Sequence, residues 1–279
     1  MKIAVASGKG GTGKTLVSTN LASIFDAKCV YVDCDVEEPN GHLFLKPKIT
    51  KKEDVEIPIP SIDEKKCTYC GRCAEVCQFN ALLVAKKKVL VFPEMCHGCG
   101  SCTYFCPEKA ISEIPKKIGV IEEGKFNKNT ILTGRLNIGE PMAPPIIRKL
   151  HKKVNKLQSL VIYDSPPGTS CPMIETIKKV DYVVLVTEPT PFGLHDLKLA
   201  VEVVCKLEMP LGIVINKSMV GNKLINDYCT KENIKVLLEI PYSDEVARLY
   251  SRGELIVHLA QYKKIFEKLY LDIKKELKK

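Results

Sequence analysis

Two groups of residues in this chain have types and spacing that could do chemistry. The first is the string SGKGGTGKT at residues 7–15, which fits G-x-x-x-x-G-K-[ST] with Gly8, Gly13, Lys14 and Thr15 at the fixed positions. A glycine-rich turn between a strand and a helix leaves backbone N–H groups unpaired and aimed outward, and the helix dipole adds positive potential there. Gly8, Lys9, Gly10, Gly11, Thr12 and Gly13 would then cradle a phosphate chain. Lys14 would reach its terminal phosphates, and the Thr15 hydroxyl would ligate Mg²⁺. The second group is Cys67-x₂-Cys70-x₂-Cys73-x₃-Cys77, repeated as Cys96-x₂-Cys99-x₂-Cys102-x₃-Cys106-Pro107 at an offset of 29 residues, from Cys67 to Cys96. The repeat also carries Ala81-Leu82 against Ala110-Ile111, which marks an internal duplication. Three thiolates at i, i+3 and i+6 can wrap three corners of an iron–sulfur cubane, and a fourth, remote thiolate closes the last corner. Zinc also takes four thiolates, but rarely from such a run.

The elements needed to position these residues are legible on either side. Residues 2–6 read as a short buried strand and 16–25 as a helix with Leu16, Leu21, Ile24 and Phe25 on its apolar side. A second buried strand, 29–33, ends in Asp33-Cys34-Asp35 and a loop over 36–40. Carboxylates at the C-terminal end of a parallel strand lie where open α/β sheets bind ligands. Residues 57–60, Ile-Pro-Ile-Pro, read as an extended linker into the cysteine segment. Beyond it, 118–121 and 130–132 read as a hairpin around 122–125, followed by a loop over 134–140 and a helix over 144–156 that starts at proline. Apolar strands follow at 160–164, ending in Asp164, and at 182–187, 211–215 and 236–240. A helix is expected over 194–207 and another helical stretch from 245 to 248. The segment 255–279 carries Leu255, Leu259, Tyr262, Ile265, Phe266, Leu269, Ile273 and Leu277 as one helical stripe, expected to pack on the sheet.

Composition bounds the class. The chain has 279 residues, 45% hydrophobic and 27% charged, the balance of a soluble globular protein. No apolar run approaches a membrane span, and the first strand leads straight into the glycine loop with no signal peptide, so a cytoplasmic location is expected. The formal charge of +9 comes from scattered lysine clusters, read as solvated faces because no nucleic-acid motif accompanies them. Thirteen cysteines in such a chain argue for metal rather than disulfides. The five outside the repeat, Cys29, Cys34, Cys171, Cys205 and Cys229, read as ordinary small residues.

With Lys9 near its start, the loop resembles the deviant Walker A motif of the MinD/ParA/Mrp superfamily, to which the nitrogenase iron protein also belongs. The resemblance implies an α/β P-loop NTPase with a mostly parallel sheet flanked by helices, hydrolysing ATP to ADP with Mg²⁺. In that family the extra lysine reaches across a homodimer to the partner's nucleotide, the part implied for Lys9. Asp33 would help organise Mg²⁺, Asp35 would orient the attacking water, and Asp164 would hold Mg²⁺ as the Walker B aspartate. The sequence Ser165-Pro166-Pro167-Gly168-Thr169 resembles switch II, with the Gly168 N–H near the γ-phosphate. Asn216 would bond the base, and Pro241-Tyr242 would flank it. A guanine site would continue N-K-x-D, and Met219 stands at the fourth position, which favours adenine.

The cysteine segment resembles a two-cluster bacterial ferredoxin. That resemblance assigns Cys67, Cys70, Cys73 and Cys106 to one [4Fe–4S] cluster, and Cys96, Cys99, Cys102 and Cys77 to another. Gln78 departs from the usual proline after the last cysteine, so slightly altered geometry is expected around Cys77. His97 is expected to face solvent. The domains implied are a P-loop ATPase over 1–55 and 116–279 and an inserted ferredoxin-like α+β module over 56–115. Three functions follow: ATP-gated electron transfer with a redox or metallocofactor partner protein, carriage or assembly of an iron–sulfur or other metal cofactor, and MinD-like positioning with structural clusters. Some MinD proteins also anchor to membranes by a C-terminal amphipathic helix; the stripe at 255–279 argues for packing instead.

Overall fold

A computed structural model describes residues 1–26, 29–155, 159–219, 221 and 223–278. Strand β1 (Lys2–Ala6) runs through the glycine loop into helix α1 (Lys14–Ser23), then β2 (Cys29–Asp33) and a short α2 (Gly41–Leu45). A long strand β3 (Lys48–Ile62) leads into α3 (Arg72–Glu75), β4 (Leu82–Ala85), β5 (Lys88–Val91) and α4 (Ser101–Tyr104). The return strand β6 (Ile111–Phe126) is followed by β7 (Asn129–Leu136), α5 (Pro144–Val154), β8 (Leu160–Asp164), α6 (Cys171–Ile177) and β9 (Tyr182–Thr187). Helix α7 (Pro191–Lys206), β10 (Leu211–Ser218), α8 (Leu224–Lys231), β11 (Val236–Pro241), α9 (Asp244–Ser251), a 3₁₀ turn (Ile256–His258) and α10 (Ala260–Glu276) complete the order.

Nine strands make one sheet in the order β11-β10-β9-β1-β8-β2-β7-β6-β3, parallel from β11 to β7 and antiparallel over the last two pairings. The central parallel strands β9, β1, β8 and β2 are buried on both faces, as crossover helices require. One face carries Ala4, Val30, Val32 and Tyr163 against Ile147 and Leu150 of α5 and Leu197 and Val204 of α7. The other carries Ile3, Val5, Tyr31 and Ile162 against Leu16 and Leu21 of α1 and Phe266, Leu269 and Ile273 of α10. Alternate residues of each strand therefore serve opposite cores, the period-2 consequence of the pleat. The C-terminal stripe packs on the sheet as expected, and Tyr270 meets Phe25 edge-on at 4.8 Å. Among the described residues no helix is long and apolar enough to cross a membrane.

Three expectations need correction. The loop expected over 134–140 begins only after Leu136, because Gly134, Arg135 and Leu136 pair with Ile121, Val120 and Gly119 as the end of β7. Residues 57–60 are not a linker but lie inside β3, which pairs with β6 from Lys48↔Lys125 to Ile62↔Ile111. Val55, Ile57 and Ile59 alternate into the core, and this alternation wins over the prolines. Pro58 stands opposite Pro115, and β7 covers β6 only from Gly119 onward, so a missing N–H on the outer side of this edge ribbon breaks no ladder bond. The hairpin turn also lies at Asn127-Lys128, not at 122–125. Asn127 takes a left-handed φ of 49°, which asparagine tolerates, while 122–125 continue the strand. The helix expected over 144–156 runs over Pro144–Val154, with residue 156 outside the described residues.

Phe266 is fully buried between α10 and the sheet. Phe266→Ala is expected to cost about 3–5 kcal/mol, read as a lower denaturant midpoint with an unchanged slope. A cost near zero would mean that α10 is not part of the folded core.

Candidate functional site

Parallel register brings the phosphate-loop chemistry together. Asp33 at the end of β2 stands level with Asp164 at the end of β8, and Asp164 level with Val5 just before the loop. Gly13 enters α1 at φ 94°, and its Cβ position is filled by the Asn216 amide, so glycine is required there twice over. Gly8 is likewise closed by the Asp196 carbonyl, whereas Gly10 and Gly11 face open space. The Thr12 hydroxyl is buried beside this opening, with no hydrogen-bond partner among the described residues. A loop closed behind and open in front, with a polar atom to satisfy, fits a bound phosphate chain.

Lys14 is buried, and its Nζ donates to Asp164 Oδ1 at 2.9 Å and stands 3.8 Å from Asp35 Oδ2. Burial works to lower its pKa, but Asp164, Asp35 and Asp33 together hold it above the ordinary lysine value. Asp164 Oδ2 accepts from the Tyr31 hydroxyl at 2.8 Å. Asp33 accepts from the Asp35 N–H at 3.2 Å and the Gly41 N–H at 2.9 Å. Burial, then the charge of Asp164, pushes Asp33 well above the usual carboxylate range. Burial raises Asp35 to about 6 against the pull of Lys14. Thr15 sits half-buried at the first turn of α1, beside Lys14. Thr15 thus follows Lys14 in the chain, and Asp33 and Asp164 stand level at adjacent strand ends, where a divalent cation would favour ionised carboxylates.

The remaining expected residues flank this centre. Lys9 is held within its own chain, its Nζ donating to Glu188 Oε1 at 2.6 Å. Glu188 also pairs with Lys217 at 3.2 Å, and the Lys9 hydrogen bond holds its pKa below the ordinary value. Glu188 had no motif to announce it. The Gly168 N–H donates to the Ser7 carbonyl at 3.0 Å, so contact with a terminal phosphate would require that loop to move. Asn216 Nδ2 donates to the Thr12 carbonyl at 2.9 Å. Asn216 and Pro241 line a mostly apolar cavity of about 240 Å³ with Gly11, Tyr242, Val246 and Tyr250, large enough to admit a base. A second cleft of about 330 Å³, lined by Asp35, Glu37, Glu38, Pro166 and Pro167, lies between the two candidate switch loops.

The eight repeat cysteines fall into two crossed sets. Cys67, Cys70, Cys73 and Cys106 line one small recess, and Cys77, Cys96, Cys99 and Cys102 another, each of about 20 Å³. The duplication extends to the backbone. Left-handed φ values recur at Tyr69 and Gly98, at Gly71 and Gly100, and at Asn80 and Lys109. The Ala81 N–H donates to Cys77 Sγ and the Ala110 N–H to Cys106 Sγ, each at 3.3 Å, and such bonds favour thiolate. Burial pushes the Cys73 and Cys102 thiols up alike. Gln78 leaves the turn unchanged, contrary to expectation: Asn80 N–H donates to Cys77 O at 3.3 Å, as Lys109 N–H does to Cys106 O at 3.2 Å. His97 is exposed and stacks on Phe79 with centroids 3.6 Å apart. Among the described residues, no three His, Cys, Asp or Glu side chains close round a single metal-ion position.

Sheet order, glycine loop and strand-end carboxylates define an α/β protein of the phosphate-loop class. The model of the CobQ/CobB/MinD/ParA nucleotide-binding domain matches residues 3–256, and the chain belongs to that family. It is similar to an uncharacterized protein of Methanocaldococcus jannaschii, 38% identical over 92% of this chain and 90% of that one. It is also similar to an iron–sulfur cluster carrier protein of Methanococcus maripaludis, 28% identical over 77% of this chain and 59% of that one. The fold is shared with the septum site-determining protein MinD of Pyrococcus horikoshii, solved with Mg-ADP, at a TM-score of 0.60 and 17% identity over 98% of this chain and 95% of that one.

Because Asp35 titrates higher folded than unfolded, the folded chain holds more protons between the two values, and stability falls as pH rises through them. Asp35→Asn is expected to stabilise the magnesium- and nucleotide-free chain above about pH 6, by on the order of 1–2 kcal/mol. Below the ordinary value of 3.8 it should gain nothing. Thermal melts across that range in a chelating buffer check this, and a gain independent of pH would contradict it.

Proposed function

We propose that the chain binds and hydrolyses ATP and couples its nucleotide state to electron transfer through two [4Fe–4S] clusters. The nucleotide half is supported by the loop that is closed behind and open in front and by the carboxylates around Lys14. Lys14 would release Asp164 for the terminal phosphates, Thr15, Asp33 and Asp164 would hold Mg²⁺, and Asp35 would orient water. The recess at Asn216 and Pro241 would take adenine. Lys9 would leave Glu188 to reach the nucleotide of a second copy, making the active form a nucleotide-dependent homodimer. The Gly168 loop would close on the γ-phosphate.

One observation carries the cluster half: the eight thiols sort into two sets around separate cavities, with Cys106 beside the first triple and Cys77 beside the second. That is the crossed pairing of a two-cluster ferredoxin, in which the last cysteine of each repeat serves the other site. The paired N–H···S bonds at Cys77 and Cys106 suit thiolate ligands, since such bonds tune cluster potential. When bound, the clusters would supply one-electron storage at two points. Residues 56–115 would form the inserted module and 1–55 with 116–279 the ATPase, in the cytoplasm, serving a redox or metallocofactor partner. A second reading, carriage or assembly of a metal cofactor, is favoured by the M. maripaludis relative, described as an iron–sulfur cluster carrier.

Anaerobically prepared protein is expected to hold about eight iron atoms and to cleave ATP. Lys14→Ala should abolish hydrolysis and leave the iron unchanged. Crossed pairing makes a sharper prediction. Cys70→Ser with Cys106→Ser should lose one cluster and keep about four iron atoms, whereas Cys70→Ser with Cys77→Ser should lose both. Equal losses in the two double variants would overturn the pairing, and retained ATP hydrolysis would show that both still fold. Zinc in place of iron would end the cluster reading. Absence of adenine-nucleotide binding would end the nucleotide reading, and prompt release of the clusters to an apo-acceptor would favour carriage over electron transfer.

A further inference from the structure

The two cysteine sets stand unequally toward the nucleotide loop. Lys14 lies against Asp35, and the carbonyl of the next residue, Val36, accepts the Leu136 N–H at 2.8 Å. The Asn137 N–H donates to the Ile118 carbonyl at 2.9 Å, and the Glu140 N–H to the Asn137 carbonyl at 3.1 Å. Glu140 Oε2 accepts from Lys116 Nζ at 2.9 Å, and the same Nζ donates to the Pro93 carbonyl at 3.2 Å. That carbonyl also accepts the Cys96 N–H at 3.3 Å. A run of short contacts therefore leads from the loop lysine to the backbone of one cysteine ligand candidate.

Packing follows the same route. Val36, Ile57, Ala81 and Cys96 share one hydrophobic core, and Cys77 packs against it. Gly98 lies so close to β3 that a Cβ there would stand 3.0 Å from the Pro58 carbonyl and 3.3 Å from Ile57 Cβ. Ile57 is the register partner of Lys116. The cavity of Cys67, Cys70, Cys73 and Cys106 differs. It sits at the far end of the ribbon, where the Asp63 N–H donates to the Ala110 carbonyl, and none of its lining residues belongs to the core around Val36 among the described residues. The Lys116 and Glu140 side chains are only 21% and 15% exposed, so their pairing is weakly screened by water.

We infer that the Cys77, Cys96, Cys99 and Cys102 set is the one that responds to nucleotide, and that Lys116 is the positioning residue that carries the response. The inference rests on the proposed nucleotide site and deepens it by ordering the two sets: one sensing, one distal. Lys116 acts by holding the Pro93 carbonyl, and through it the Cys96 turn, to the Asn137–Glu140 loop. A shift of Asp35 and Val36 away from Lys14 moves that loop, and the Cys96 turn moves with it.

Hydrogen exchange on the full-length, iron-loaded chain tests this, with no nucleotide, with ADP and with a non-hydrolysable ATP analogue. The analogue should change protection over residues 93–99 and leave 67–75 as they were. Lys116→Met should keep iron and analogue binding but lose that difference between nucleotide states, and Lys116→Arg should restore it. A merely structural lysine would instead alter protection equally in every state. Equal change at both cysteine sets, no change over 93–99, or a full response in Lys116→Met would overturn the inference. Calorimetry of the same samples separates these outcomes from a failure of the proposed site: a chain that binds no analogue overturns both readings, whereas one that binds it without a response at 93–99 overturns only this one.

Discussion

One buried ammonium group makes the centre of this sheet tolerable. Parallel register sets Asp33 and Asp164 side by side, and Asp35 follows two residues later. Three carboxylates taken out of water this close together would repel one another and shed charge by binding protons. Lys14 offsets part of that cost, because it pairs with Asp164 and approaches Asp35, and these carboxylates hold its pKa up although burial works to lower it. The Tyr31 hydroxyl and the Gly41 N–H supply further donors. The rest of the domain holds these few atoms in place. Asn20, buried in α1, accepts the Val257 N–H at 3.0 Å and so ties the C-terminal segment to the loop helix.

A second constraint comes from the ribbon of β3 and β6. It is a continuation of the nucleotide sheet, paired from Lys48↔Lys125 to Ile62↔Ile111 with register shifts between Ile49 and Lys51 and between Val55 and Glu56, and it leads into the cysteine segment. Its root is pinned to α5 through Glu53, which bonds Lys149 and Lys153 at 2.8 and 2.7 Å. Those two hydrogen bonds hold the Glu53 pKa down at about 2. Cys96, beyond the ribbon, shares a core with Val36.

How much of this could be read from the sequence depended on how local the cause was. The glycine loop, the strand-end aspartates and the paired cysteine runs announced themselves, because each is fixed by backbone geometry within a few residues. The apolar strands and the C-terminal stripe were legible from periodicity alone. The ribbon was not. Ile57-Pro58-Ile59-Pro60 looks like a linker because proline discourages strands, and only the neighbouring strand shows that these prolines leave no ladder bond unmade. The turn at Asn127 was missed because Glu122-Glu123-Gly124-Lys125 is the more polar stretch, yet asparagine's tolerance of a left-handed φ decided the place. Glu188 and Lys116 carry no motif at all; each matters through partners distant in sequence, Lys9 for one and Glu140 for the other. The helix at Gly41–Leu45 was likewise too short for any periodic signal.

Charge at the centre constrains how ligand and switch can be related. Three carboxylates against one lysine leave a deficit of positive charge, and a phosphate chain brought there alone would deepen it. A divalent cation entering with the nucleotide would offset that deficit and couple the binding of the two. Lys14 cannot serve the phosphates and the aspartates equally at the same time, since its ammonium offers three donors to groups on opposite sides. Moving it toward phosphate leaves Asp164 to the metal and removes the nearest positive charge from Asp35. Asp35 has the least shelter of the three, its side chain 19% exposed and the acidic Glu37 and Glu38 close by, so it has most freedom to move when the lysine does. The loop that follows it is hydrogen-bonded to Leu136 at the end of β7, beside the root of the ribbon. Of the two carboxylates that Lys14 contacts, Asp35 is the one whose loop is bonded toward the cysteine arm.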